Sequence, residues 1–425
     1  MMALLRLTLV FVLVVILIRR KVSLGTALLA GALALGISSG MGPWPLARAV
    51  AASLADHRTL LLAAVVSLIL VLSHLLEQTG QMRRLLSAYQ GFSANPRLNL
   101  TLFPALIGLL PMPGGAVFSA PMVEEISRGS GLPAQHKALV NYWFRHLWEF
   151  CWPLYPGVIL TVALSGIPLW VWVACQAPLA LAMAGAGYLV LLRPLKPGNG
   201  SGKKGPRNLK GFFLELVPVL IVVAGAAALS PAFRAAAGAL GRTAPPAEAG
   251  LLAALAAAIA WTGAANRVGA ALLRKVLFNR SLASMVYMIA GIMVFSGVMD
   301  LSGTVGGVSS VFSGGGAPVF AATVALPMVV GLVTGITVAF VGATFPIVFT
   351  LVSASGLESH LLAFAILAFS SGYVGVLASP VHACLVLTQD YFKAPAPAMY
   401  RSLLPLCGAV FLAGLAAFGL AMLLT

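Results

Sequence analysis

The stretch that decides the fold is residues 98–123, LNLTLFPALIGLLPMPGGAVFSAPMV. It is apolar enough to lie in a bilayer, but the segment PMPGG at residues 111–115 interrupts it. Because an α-helix rises 1.5 Å per residue, the first arm covers roughly 20 Å, which is less than the roughly 30 Å hydrocarbon core. Two short arms around a Pro/Gly break are typical of a re-entrant hairpin. Irregular backbone at membrane depth lies inside protein or beside a water-filled cavity, so we expect this break to line a cavity.

A second interrupted stretch occupies residues 318–352, PVFAATVALPMVVGLVTGITVAFVGATFPIVFTLV. At a spacing of 223 residues, Pro104 and Gly108 correspond to Pro327 and Gly331. The preceding segments, VLSHLLEQTG and VFSGVMDLSG, align at the same spacing. Similarity at one fixed spacing indicates an internal duplication.

The composition is that of a polytopic membrane protein. Of the 425 residues, 60% are hydrophobic and 8% are charged, and the mean hydropathy is +1.01, which together favour a chain that crosses the bilayer repeatedly. We predict an all-α fold of two inverted repeats, each with five transmembrane helices plus one re-entrant hairpin followed by a broken helix. The predicted boundaries are residues 1–192 for the first repeat, 193–210 for a basic linker and 211–425 for the second repeat.

The distribution of basic residues predicts the orientation. The net charge is +16, but most of the 26 Lys and Arg residues flank apolar runs on one predicted side, together with the central linker. This pattern places the linker in the cytoplasm and both termini outside the cytoplasmic membrane, and it gives no reason to expect nucleic acid as a partner. The opposite side has few basic residues: Arg48, Arg58, Arg234 and Arg242.

Residues in and beside the breaks are the first binding candidates. Interrupted helices leave unpaired N–H groups at one end, which favour anions, and unpaired carbonyls at the other, which favour cations. One alternative is that Gly and Pro merely kink ordinary spans; another is that Ser and Thr hydroxyls bond back to their own helices. The candidates for substrate or ion binding are Pro113, Gly114, Gly115, Ser119, Tyr155, Thr334, Gly335, Thr337, Thr344 and Ser379.

A charged motif lies within a long apolar helix predicted over residues 139–164. Burying an ionisable residue in a membrane costs at least about 2.5 kcal/mol, which favours a functional role. We predict that Glu149 couples protons or cations and that Arg145 or His146 binds an anion. The alternative is a structural pair, since Arg145 and Glu149 are four residues apart, with the arginine extending to the membrane surface. His382 is a weaker candidate beyond the second broken helix.

The sequence predicts no enzyme activity and no metal site, with sodium ions as the only cofactor under consideration. The four cysteines lie in apolar segments without metal-ligand spacing, and there is no HExxH motif or P-loop. A GxSxG match at residues 36–40 ends a predicted transmembrane helix, whereas the motif requires a strand-to-helix elbow.

The predicted architecture resembles the ion transporter superfamily, which includes divalent anion–sodium symporters and citrate and gluconate permeases. The segments PMPGGAVFSAP (residues 111–121) and NYWFRHLWEFCWPLYPG (residues 141–157) are similar to those of an uncharacterised bacterial and archaeal membrane-protein family within it. The resemblance covers nearly the whole chain and implies a homodimer, elevator-type alternating access and anion binding between the hairpin tips. The symporters carry Ser-Asn-Thr at the tips, where this chain has Pro-Gly-Gly and Thr-Gly-Ile-Thr. Sodium coupling and dicarboxylate specificity therefore stay open.

The expected function is secondary active transport of a small organic anion, driven by sodium or protons, with the anion and the lipid bilayer as partners. An exporter or antiporter of an inorganic or neutral solute is the alternative within transport. An intramembrane enzyme and a structural or receptor membrane protein are the alternatives outside it.

Overall fold

The computed structural model describes residues 2–89, 93, 95–112, 114–128, 130–195, 208–246, 248–304 and 317–424. These residues form helices and connecting turns, and none of them lies in a β-strand. The α-helices are α1 (Met2–Arg19), α2 (Leu24–Ser38), α3 (Pro43–Ala55), α4 (His57–Gln78), α5 (Gln81–Tyr89), α6 (Pro96–Gly108), α7 (Ala116–Ile126), α8 (Ala134–Arg145), α9 (Pro156–Ser165), α10 (Leu169–Gly187), α11 (Leu209–Ala239), α12 (Ala249–Ala265), α13 (Ala270–Leu277), α14 (Arg280–Leu301), α15 (Ala317–Thr334), α16 (Thr337–Ala354), α17 (Leu361–Ala378), α18 (Ala383–Phe392) and α19 (Ala396–Leu424).

The protein is embedded in a membrane. Within the described residues, nine helical stretches are long and apolar enough to cross a bilayer. α1 and α19 keep large apolar side chains at the surface, as helices that face lipid do. The prediction of an all-α membrane protein is confirmed at this level.

Two pairs of the described helices match in length between the two halves of the chain. α4 and α14 have 22 residues each, and their bounds are separated by the 223 residues that the sequence alignment requires. α9 and α18, each of which follows the broken helix in its half of the chain, have ten residues each. The inverted relation of the two halves stays a prediction.

The two most enclosed helices, α16 and α17, form the centre of the molecule. Most of their residues are buried, as expected for helices that are apolar on all sides. α15 packs along α17 through small residues, because Gly331 lies against the carbonyl of Gly372 with no room for a Cβ atom. Close approach through glycine is the usual way that membrane helices pack.

The long helix predicted over residues 139–164, with a break at residues 152–157, is interrupted earlier than predicted. α8 ends at Arg145, a 3₁₀ turn covers Leu147–Phe150, and α9 begins only at Pro156. The helix ends early because His146 Nδ1 donates to the carbonyl of Tyr142, which takes the place of a helical partner. The predicted interruption before α9 is correct.

Three short helices, α3, α5 and α13, were not predicted from the sequence. Two predictions concern residues outside the described part of the chain. They are the binding candidate Pro113 and residues 196–207 of the basic linker. The second interruption agrees with the prediction, since α15 ends at Thr334 and α16 begins at Thr337.

Candidate functional site

The first helix break, residues 109–115 between α6 and α7, is tied to the end of α8. Gly108 lies so close to the carbonyl of Arg145 that a Cβ atom would not fit between them. The Arg145 guanidinium donates from Nη2 to the carbonyl of Met112 at 2.6 Å. Gly114 adopts a φ of +73°, which favours glycine. Met112 and Gly115, on the two sides of the break, therefore both lie against the Arg145 side chain.

The second helix break, Gly335–Ile336 between α15 and α16, reaches the same place from the other half of the chain. Thr337 Oγ1 donates to Glu149 Oε2 at 2.9 Å. His382 Nδ1 donates to the carbonyl of Gly335 at 2.6 Å. Gly335 has a φ of +63°, and a Cβ atom there would lie 2.7 Å from the Cα atom of His382. Glycine is thus required both by the turn and by the contact.

Four side chains, Arg145, His146, Glu149 and His382, form what we call the polar cluster. Arg145 Nη1 lies 3.8 Å from Glu149 Oε1 and 3.3 Å from His146 Nε2. The two histidines meet through their Nε2 atoms at 2.9 Å. The exposed fractions of the four cluster residues are 2% for Arg145, 0% for His146, 6% for Glu149 and 8% for His382. Arg145 is buried within the protein and does not extend to the protein surface, and its predicted pairing with Glu149 is confirmed. The role of the pair, structural or functional, stays a prediction.

Three buried tyrosines close the helix ends around the cluster. Tyr155 Oη donates to the carbonyl of the last residue of α6 at 2.7 Å. Tyr373 Oη donates to the carbonyl that follows α8 at 2.6 Å, and Tyr142 Oη donates to a carbonyl near the end of α17 at 2.9 Å. Each hydroxyl satisfies an acceptor that a helix end leaves unpaired. The breaks are therefore held by long-range contacts.

A second group of polar side chains lies beside the first break. Ser119 Oγ donates to Asn141 Oδ1 at 2.6 Å. Asn141 Nδ2 in turn donates to the carbonyl of Ala116 at 2.9 Å and to Thr388 Oγ1 at 3.3 Å. All three polar side chains are buried. The Ser119 hydroxyl is thus engaged with an amide of α8, a partner that the sequence did not indicate.

The other predicted hydroxyls bond to backbone carbonyls. Thr334 Oγ1 donates to a carbonyl of its own helix at 2.8 Å, and Thr344 Oγ1 does the same at 2.6 Å. Ser379 Oγ donates to the carbonyl of Leu332 at 2.7 Å. Of the predicted threonines, Thr337 is the one whose hydroxyl joins the polar cluster.

The cluster includes one group of side chains with the spacing of metal ligands. In the described part of the chain, the ligand atoms of His146, His382 and Cys384 lie within 4.8 Å of one another. The Arg145 guanidinium, however, faces the His146 Nε2 atom at 3.3 Å. A fixed positive charge there opposes a divalent metal cation. We therefore assign these residues to no metal.

A comparison with protein families matches residues 3–421, described as a protein of unknown function, DUF401. The chain belongs to the DUF401 family. The match spans both breaks and the polar cluster, and it confirms the predicted membership of an uncharacterised family. A search of curated proteins found no match. The resemblance of this DUF401 protein to the ion transporter superfamily stays a prediction.

Sequence reasoning missed several residues of the DUF401 site and gave His382 too little weight. Asn141 lies one helical turn before Arg145, so helical periodicity could have placed both on one face. Tyr142, Tyr373 and Cys384 lie in apolar segments, where a sequence pattern does not distinguish them from core residues.

Proposed function

We propose that this DUF401 protein is a secondary active transporter of a small organic anion. One observation carries the proposal: two helix breaks, far apart in the chain, converge on one buried polar cluster. Interrupted helices that meet at charged side chains near the middle of the membrane are typical of secondary transporters. Burial of these charges is costly, and a structural role alone would not require them to join both breaks.

Arg145 supports the anionic character of the substrate. Among the described residues, its buried Nε atom has no hydrogen-bond partner. A Cβ atom at Gly115 would lie 3.0 Å from Nε and 2.9 Å from Nη2, so the glycine allows the first break to lie directly against this edge of the guanidinium. That edge offers parallel N–H groups, the arrangement that binds carboxylates.

The two halves of the chain interlock at the site. α9 packs against α16, and α18 packs against α7 and α8, so that each short helix contacts the broken element of the other half. We extend the proposal to two inverted repeats with re-entrant hairpins and elevator-type alternating access. Both termini would lie outside and the basic linker in the cytoplasm. The homodimer is proposed on the resemblance alone.

The first test is a thermal-shift screen of the purified protein. The probes are succinate, citrate, gluconate and sulfate, each with sodium or choline as the cation and at pH 5.5 and 7.5. Arg145→Gln is compared with Arg84→Gln, because Arg84 makes an exposed bridge to Glu215 outside the site. We expect at least one anion to stabilise the wild type and Arg84→Gln but not Arg145→Gln.

The other outcomes count against the proposal. Stabilisation that survives in Arg145→Gln would place the anion elsewhere. If no anion stabilises the folded wild type, the organic-anion assignment is wrong, and an exporter of a neutral solute becomes the better candidate. If an anion does stabilise the protein, the dependence of that stabilisation on sodium or on pH identifies the coupling ion.

A further inference from the structure

The hydrogen bonds of the two cluster histidines fix which ring nitrogens carry protons. His146 Nδ1 lies 2.6 Å from the carbonyl of Tyr142, and His382 Nδ1 lies 2.6 Å from the carbonyl of Gly335. A carbonyl oxygen only accepts hydrogen bonds, so both Nδ1 atoms carry a proton. If both rings were neutral, both Nε2 atoms would then carry lone pairs.

Those two Nε2 atoms face each other at 2.9 Å. This is the length of an N–H···N hydrogen bond, whereas two lone pairs at that distance repel. One proton must therefore lie between the rings. Arg145 Nη1, which can only donate, also points at His146 Nε2 at 3.3 Å. His146 Nε2 is thus the acceptor, and the additional proton is on His382.

We infer that His146 and His382 form a buried site for one exchangeable proton, and that this proton is the ion coupled to anion transport. The second half of the inference rests on the function proposed above; the first half does not. The titratable and charged groups that face the pair are Arg145, Tyr142, Glu149, Tyr373 and Cys384.

The charge of the cluster links the proton to the anion. With the shared proton in place and Cys384 as a neutral thiol, Arg145 and His382 carry two positive charges against the single negative charge of Glu149. The buried cluster is then short of one negative charge, which a bound monoanion supplies. Without the proton the cluster is neutral, and an added anion would be left unpaired at a high cost. Each ligand therefore stabilises the binding of the other.

The pair also joins the two halves of the chain. His146 follows α8, whereas His382 precedes α18 and holds the carbonyl of Gly335 in the second break. Loss of the proton leaves two lone pairs in contact, which pushes His382, and the second break with it, away from α8. Proton occupancy thus determines whether the site is closed.

The proton site is tested by NMR on protein labelled with ¹⁵N-histidine, without any anion. The chain has six histidines, so replacing His57, His74, His136 and His360 with Gln leaves only the pair. We expect three protonated ring nitrogens, one bare nitrogen, and a ¹⁵N–¹⁵N coupling across the shared hydrogen bond. If the fourfold variant does not fold, the difference between wild type and His382→Gln gives the same signals. Two neutral rings without coupling would overturn the inference.

The linkage is tested on the same sample by titration. The pH at which the ¹⁵N–¹⁵N coupling disappears is measured with and without 10 mM gluconate, which is a monoanion. A linkage of about 5- to 150-fold is usual between coupled sites, so we expect this midpoint to rise by about one to two pH units. An anion that stabilises the protein without moving the midpoint would overturn the coupling. If the proton is present but no anion binds, the proposed function fails and the proton site stands.

Discussion

Replacement of Thr337 by Val tests the contact that ties the second break to the polar cluster. The substitution keeps the branched shape and removes the hydroxyl that donates to Glu149 Oε2 at 2.9 Å. A hydrogen bond to a charged group contributes about 1.5–3 kcal/mol. We therefore expect the unfolding equilibrium constant to rise roughly 10- to 150-fold. The assay is unfolding of the purified protein by SDS in mixed micelles, followed by tryptophan fluorescence.

Thr344→Val is the matched control, because it makes the same change two turns further along α16. Thr344 Oγ1 donates only to a carbonyl of its own helix, and polar contacts within membranes average about 0.6 kcal/mol. The effect of Thr337→Val should also shrink on a Glu149→Gln background, since the acceptor charge is then gone. If Thr337→Val costs no more than Thr344→Val, the bond to Glu149 does not hold the second break.

Two glycine substitutions test the close contacts around the breaks. Gly108→Ala should lower the free energy of unfolding by about 1–3 kcal/mol, because its Cβ atom would overlap the end of α8; Gly185→Ala, which has no described neighbour within 4 Å, should be neutral or stabilising in the same SDS titration. Gly335→Ala should remove the ¹⁵N–¹⁵N coupling, because its Cβ atom would displace His382; Gly356→Ala has the same left-handed strain at φ +67° without that contact and should keep the coupling.

The breaks could be predicted from the sequence because proline and glycine act locally. Proline removes a helical donor, and glycine permits a positive φ, so the interruptions at residues 109–115 and 335–336 are visible in the sequence itself. The spacing of Arg145 and Glu149 likewise predicted their contact. These features depend on residues within a few positions of one another.

The parts that could not be predicted depend on long-range contacts. At the end of α8, Gly108 packs against the carbonyl of Arg145, and Tyr373 Oη donates to the carbonyl of His146. Both residues belong to other helices. The partner of His146 is His382, 236 residues later, and no local pattern links them. The hydrogen-bond partner of each threonine hydroxyl also depends on which residues pack against it, as Thr337 and Thr344 show.

The short helices were missed for a different reason. α5 and α13 carry basic side chains along with apolar ones, so their mean hydropathy is low and a search for continuous apolar runs passes over them. Each is amphipathic, which suits a helix that lies along a membrane surface.

Alternating access requires that the first break can be reached from each face of the membrane in turn. Cysteine accessibility tests this without knowledge of the substrate. Met112→Cys places a thiol in the first break at a side chain that is buried in this structure. Ile69→Cys, which is buried in α4, is the control. Each variant is treated with a membrane-impermeant thiol reagent in right-side-out and in inside-out vesicles, with the wild type as the baseline. We predict that Met112→Cys reacts from both faces and Ile69→Cys from neither. Reaction of Met112→Cys from one face only, or from neither face, would contradict it.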